Sequence, residues 1–551
     1  MRLLLKIKSI IFKILALIFS LIERRQLIFF RALISKLSFI IFSILILINT
    51  IFVHESITQK HGRKQTNQEL LAASIVISQS NHGATGYTGY ISIRDAILKH
   101  RGSISDKWEK ASTIPDVSSP RLHFTFTDLG LASYFKWAFR IFGYSQESLE
   151  SLYFLILAIS VLVYIGAFWK DKLALFVLLL FAVSHRLVVM ATDVVGIELQ
   201  LYNYRFYAVL AILPSIHIGL LMLKKCKFSK WAFLLAFAQA TILIFIMHSR
   251  GSVLYQVMFL ITLAGFLALM GLVQRIKNGL VFDGSGLWAL LPVLGLFIVL
   301  KAHLMLTINP HYKTSIQTHH FWCASFTGLS INPRMQSDYG ISFFDDQHCH
   351  DAVARRAEKD GLSFIFDELD HDLFFHSTDF PFEENGQVRA LSGVYEDYVK
   401  QEFMSYLEKD PWLVINAYLL KIPEFFLTYF SSVRESGTLF NKGFSALNYF
   451  GAGKLFFDPL IFFVVVLGVL VFLKEGSGRI GTYFFLTSFQ FVFSLIPPLI
   501  LIPFSFTLAD PGLIFTLVLL IIFSVVLSSL ISRYFPASEK YLDFETKKEK
   551  F

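Results

Sequence analysis

The chain has 551 residues, of which 54% belong to the set AVILMFWYC and only 17% are charged. Its mean hydropathy is +0.57 and its net charge is +9. A soluble globular domain carries about 25% charged residues, and 59 phenylalanines are more than one aqueous core can use. These figures exclude a soluble enzyme, a nucleic-acid binder and a disordered scaffold, and they leave an all-α polytopic membrane protein. The excess of basic residues therefore reads as membrane topology rather than as a nucleic-acid footprint.

Residues 1–36 hold eight Lys or Arg, with Lys6, Lys8 and Lys13 interleaved among Leu and Ile. This pattern predicts a basic, interfacial amphipathic helix on the cytoplasmic side. Ten spans are predicted: Leu37–Val53, Leu152–Trp169, Leu173–Ala191, Tyr207–Leu223, Trp231–Met247, Val253–Val273, Leu287–Leu306, Leu455–Leu473, Tyr483–Phe504 and Leu513–Ile531. Each is long enough to cross about 30 Å of hydrocarbon. An eleventh apolar stretch, Trp412–Tyr429, contains Lys421, Pro423 and Glu424. Charge of that kind is costly inside a bilayer, so residues 412–429 are expected to form an interfacial helix on the outer surface.

Orientation follows from the basic residues. Lys170 and Lys172, Lys224, Lys225, Lys227 and Lys230, Arg275 and Lys277, Lys474 and Arg479, and the tail 533–551 all fall on one side. With the positive side cytoplasmic, both termini are cytoplasmic, and two long segments, 54–151 and 307–454, face outward. Residues 37–306 then form a seven-span module and 455–532 a group of three spans. The stretch Thr307–Pro411 carries eighteen Asp or Glu against eight Lys or Arg.

Ionisable residues near span ends are the first candidates for chemistry. His185 and Arg186, Arg205, His248 and Arg250, and Lys301 with His303 come from four spans at one expected depth. Together they would make a cationic collar suited to a lipid phosphate or diphosphate, with Arg giving bidentate contact and Lys a point charge. The alternative is that each one snorkels to the interface on its own. Carboxylates at the same boundary, Glu55 and Asp128, can act as a general base or hold a divalent cation, Mg or Mn, against a phosphate. The alternative for each is a solvated loop acid, since no spacing motif singles it out. The stretch Tyr134, Phe135, Lys136, Trp137 and Arg140 suits a helix lying flat in the interface.

In the second outer segment, His348, His350 and Asp351 are a candidate zinc or manganese set, although their spacing matches no defined site. Cys323 and Cys349 are the two cysteines of the outer segments, and Cys226 lies among cytoplasmic lysines. A Cys323–Cys349 disulfide is predicted. Closing about 27 residues contributes roughly 3 kcal/mol in the chain-entropy model.

An inward N-terminus, one span, a long outer loop ending Phe142-Gly-Tyr-Ser-Gln-Glu147 and a second long loop after the seventh span resemble the GT-C superfamily. Those proteins are glycosyltransferases that use polyprenyl-phosphate-linked sugars. The resemblance implies transfer of a sugar from such a donor to a cell-envelope acceptor at the outer face of a bacterial cytoplasmic membrane, with a first-loop carboxylate as base or metal ligand. Members of that superfamily often carry paired acids after the first span, whereas here Glu55 stands beside His54. The corner His248-Ser-Arg-Gly251 and the large late loop resemble instead the O-antigen polymerase and ligase group, whose key residues are Arg and His. A third reading is a lipid or glycan transporter or a scaffold. It predicts polar residues through the span centres, and Val253–Val273, Leu287–Leu300 and Leu455–Leu473 have almost none.

Overall fold

The computed structural model describes residues 36–61, 130–143, 145, 147–195, 204–223, 229–278, 284–307, 321–341, 347–360, 383–384, 387–388, 392–430, 464, 467, 477–496 and 509–534. The architecture is helical, as a chain with no water to satisfy its backbone requires. Among the described residues it is broken only by a two-residue antiparallel pairing of Glu383–Glu384 with Gln387–Val388. Among the described residues, eight helices are long and apolar enough to cross a membrane: Lys36–Lys60, Glu147–Phe168, Lys172–Met190, Phe206–Leu223, Lys230–Ser249, Gly251–Lys277, Ser285–Leu306 and Pro511–Leu530. They coincide with the first seven predicted spans and the last. The ninth predicted span appears as a shorter apolar helix, Ile480–Ser494. Of the eighth, only the buried Val464 and Leu467 fall within the described residues.

In chain order, the helices of the bundle are α1 (Lys36–His61), α2 (Gly130–Phe142), α3 (Glu147–Phe168) and α4 (Lys172–Val195). After them come a 3₁₀ stretch, Tyr204–Ala211, leading into α5 (Ile212–Leu223), then α6 (Lys230–Ser249), α7 (Leu254–Asn278) and α8 (Leu291–Thr307). The third and fourth spans form the centre, with 89% and 94% of their length buried, against 28% of the first and 22% of the seventh. The first span packs along α4 through a stripe of Phe39, Ser43, Ile46, Thr50, His54 and Ile57. Steps of three and four residues keep this stripe on one face. Ser43, Thr50 and Thr58 bond the carbonyl four residues back at 2.7–2.9 Å. Their hydroxyls are thereby satisfied inside a close helix contact.

Because consecutive spans alternate in direction, the end of α1, the start of α3, the end of α4, the start of the fourth span and the end of α6 all lie together. This is the loop end of the bundle, and the turns on the opposite side form its turn end. At the loop end α2 is terminated by Gly143, whose φ of +91° is a left-handed conformation open to glycine. At the turn end, Ser229 caps α6 by accepting from the Ala232 amide at 3.1 Å.

The second long segment builds its own small core from α9 (Phe321–Thr327), α10 (Pro333–Tyr339), α11 (Gln347–Lys359), α12 (Ser392–Lys409) and α13 (Pro411–Phe430). Phe326, Leu329, Met335, Val353, Val399 and Leu413 are buried in it. Two further helices complete the chain, α14 (Ser477–Ser494) and α15 (Ala509–Tyr534), which pack on each other and, respectively, on α7 and α4. Tyr483 Oη donates to Asp171 Oδ2 at 3.0 Å, which sets the beginning of α14 at the turn end, beside the α3–α4 connection.

Candidate functional site

The loop end gathers buried polar side chains from five segments. His54 of α1 and Glu150 of α3 stand 3.3 Å apart, Nε2 to Oε1, with side-chain exposures of 2% and 8%. One turn further along α3, Tyr153 Oη is 2.7 Å from His185 Nε2 of α4, and the two rings are stacked. His185 also lies within electrostatic range of His54, and Tyr207 within that of Glu150. From α2, Tyr134 donates to the Leu149 carbonyl at 3.1 Å and stacks on Tyr207 with ring centroids 3.9 Å apart. An imidazole held against a carboxylate is an acid–base element with a fixed orientation. Burying such a pair in a bilayer is costly unless the partners are retained for a role.

Local sequence explains the placement. Glu150 sits in the first turn of α3, where the positive end of the helix dipole favours a carboxylate. Tyr153 follows at i+3 and shares its face. On α1 the stripe that faces α4 includes position 54, and position 55 is turned 100° away. His54 is therefore the buried partner. Glu55 is half-buried and accepts from Gln59 Nε2 at 3.4 Å.

Of the remaining candidates, Arg186 is tied to the helices of this cluster through α1. Arg186 Nε donates to Asn49 Oδ1 of α1 at 3.0 Å. Arg250 forms the one-residue corner between α6 and the turn that opens the sixth span, in an extended conformation with φ −146° and ψ 99°. Arg205 belongs to the Tyr204–Ala211 stretch at the same end. Lys301 and His303 are exposed on α8, and Lys301 Nζ lies 5.7 Å above the Phe297 ring of its own helix. Asp128 lies outside the described residues, two positions before Gly130. A Cβ at Gly130 would collide with the backbone and imidazole of His248, so α2 starts directly against the end of α6. Tyr134 and Phe135, read from sequence as interfacial, are fully buried in the bundle, while Trp137, Ile141 and Phe142 remain on the exposed face of α2.

Polar groups also occur deeper in the bundle. Ser160 Oγ donates to Gln239 Oε1 at 3.0 Å, Gln239 Nε2 lies 3.4 Å from His217 Nδ1, and Gln490 Nε2 donates to Gln256 Oε1 at 2.8 Å. The expectation of nearly apolar span centres rested on the sixth, seventh and eighth spans, and the sixth carries the buried Gln256 that bonds Gln490. In the second, fourth and fifth, buried polar residues tie helix to helix.

In the second segment Cys323 and Cys349 are joined by a disulfide with Cα atoms 5.6 Å apart, linking α9 to α11. Arg356 Nε donates to Glu402 Oε2 at 2.8 Å, and Tyr406 Oη donates to Glu402 Oε1 at 3.1 Å, which joins α11 to α12. Burial, reinforced by Glu402, pushes the Tyr406 hydroxyl up to about 12. His348, His350 and Asp351 lie on α11, and positions two apart on a helix, such as 348 and 350, do not share a face. Among the described residues no three His, Cys, Asp or Glu side chains come together as a metal would require.

Comparison with known proteins finds no family model, no curated protein and no solved structure that matches this chain.

Proposed function

We propose that the protein is a GT-C-type membrane glycosyltransferase that transfers a sugar from a polyprenyl-phosphate donor to a cell-envelope acceptor at the outer face of a bacterial cytoplasmic membrane. The observation that carries this reading is the seat of α2. Gly130, which follows Asp128 by two positions in the sequence, packs on His248 at the end of the fifth span, which also bears Arg250. A first-loop carboxylate and a cationic span end are the two groups that transfer from a lipid phosphate needs: a base toward the acceptor hydroxyl and a clamp on the departing phosphate. In this reading Glu55 and Asp128 are the base or the ligands of a divalent cation. Arg186, Arg205, Arg250, Lys301 and His303 attract the phosphate, and the buried His54–Glu150 pair fixes the entry of the loop.

A topology of ten spans with both termini cytoplasmic fits this proposal. The seventh span finishes at the loop end and α14 begins at the turn end beside Asp171, so the chain between them crosses an odd number of times. With α13 engaged in the core of the second segment, the proposed count assigns one crossing to residues 455–473.

The test is thin-layer analysis of lipid-linked sugars in membranes from cells with and without the gene, then with Glu55→Ala, Asp128→Ala and Arg250→Ala. Accumulation of unused donor without the gene and with Asp128→Ala or Glu55→Ala supports transfer. The half-buried Arg250 corner favours a second reading, a surface-polysaccharide polymerase or ligase. That reading gains if Arg250→Ala alone abolishes surface glycan while both carboxylate variants remain active. Unchanged lipid-linked sugars and unchanged surface glycan leave the transporter or scaffold.

A further inference from the structure

Helix α13 has two apolar faces. Leu413, Val414 and Ala417 are 3%, 2% and 0% exposed in the core of the second segment. Trp412, Ile415 and Leu419 are 69%, 44% and 49% exposed. At 100° per residue the first set occupies an arc centred about 150° round from Trp412, and the second lies within about 60° of it. Residues 411–420 contain no charged side chain, and the charge that follows, Lys421, is fully buried on the core side with Nζ 4.4 Å from the Tyr418 ring centroid. A helix packed on an aqueous domain would normally show water a polar face. Here that face is apolar apart from the half-buried Asn416, and Trp412 stands on it.

We infer that the Trp412–Leu419 face of α13 docks on the lipid surface of the same bilayer that the chain spans, immersed at the headgroup–acyl boundary. The occupant follows from connectivity. The segment leaves the bundle at Thr307 and its chain rejoins it at Ser477, so both ends of this small domain are held at a membrane and lipid is the apolar phase always within reach. The composition of the face agrees, since tryptophan beside aliphatic residues is the interfacial pattern. In helical register the sequence continues it past the buried lysine with Ile422 and Phe426. The lipid face of the spans and the lipid face of α13 then form one continuous surface, and the disulfide-closed core is laid down flat on the leaflet. This inference does not depend on the chemistry proposed above.

The experiment uses the full chain in liposomes, with Cys226→Ser to leave the disulfide as the only other cysteine site. A single environment-sensitive fluorophore is attached at Leu419→Cys, at Ile415→Cys as a second position in case the first disturbs folding, and at Gln401→Cys on α12 as the exposed reference. The expected result is quenching at 415 and 419 by spin-labelled phospholipid, with at least threefold weaker iodide quenching than at 401. Iodide quenching at both positions equal to that at 401 overturns the inference. Protection from both quenchers also overturns it, because a protein partner or a second copy of the chain would then cover the face.

Discussion

At the scale of single residues, the molecule turns on a few polar side chains kept from water. Removing one partner of a buried polar pair leaves the other without its counterpart, at a cost of about 1–3 kcal/mol. Glu150→Ala is therefore expected to lower the apparent melting temperature of the detergent-solubilised protein by several degrees, more than Glu55→Ala. Glu55 is only half-buried, whereas Glu150 is buried. Fluorescence-detected size exclusion after a heating series separates the two variants.

Lys421 makes a different prediction. Burial lowers its pKa from 10.5 to about 7, and the Tyr418 ring returns only on the order of 1–2 kcal/mol to the charged form. In the unfolded chain the amine regains its ordinary value. Between about pH 7 and pH 10 unfolding therefore takes up a proton, and stability rises with pH across that window. Below pH 7 the full cost of the buried amine is present. Lys421→Met is expected to raise the denaturation midpoint of the second segment at pH 7, by on the order of a few kcal/mol, and to abolish the rise toward pH 10. Urea titrations of the full chain at pH 7 and pH 9.5, followed by proteolysis within 321–430, measure both effects.

At the scale of elements, contacts between helices decide what a helix is for. Gly130 seats α2 on α6, and a methyl group there would meet His248 backbone rather than a yielding side chain. Gly130→Ala is expected to displace α2 and, under the proposed function, to abolish transfer, while Gly143→Ala, which has open space around it, should cost only the strain of a left-handed residue, about 1 kcal/mol. Measuring sugar transfer alongside yield of folded protein in both variants distinguishes a lost site from a lost fold.

Much at this scale could be read from the sequence, because twenty uncharged apolar residues have few alternatives to a span. The pairing of polar residues could not. Choosing His54 over Glu55 depends on a 100° step in helical phase, and joining Tyr153 to His185 depends on which helices become neighbours. Glu150 was read as part of a loop because it precedes the apolar run. It belongs to the span because its carboxylate suits a helix start and meets an imidazole there.

At the scale of the whole molecule, the proposed topology can be tested independently of activity. Substituted-cysteine labelling of intact cells is expected to modify positions 55 and 401 from outside and to leave Cys226 unmodified until the membrane is opened. Labelling of 55 and 401 from opposite sides would overturn both the topology and the function built on it. The seven-span module was legible as far as its boundaries. The layering of α4 and α5 inside α1 and α8 was not, because all four are apolar all round and only packing sorts them.

The bond between Tyr483 and Asp171 joins groups 312 positions apart. A ribosome adding 5–20 residues per second needs roughly 15–60 s to make the partner after the aspartate has emerged. Throughout that interval the Asp171 carboxylate has no Tyr483 to accept from, and α14 cannot yet take its place against α7. The bundle therefore closes late in synthesis, and a chain truncated before residue 483 should be exposed to membrane quality control however well its first seven helices insert.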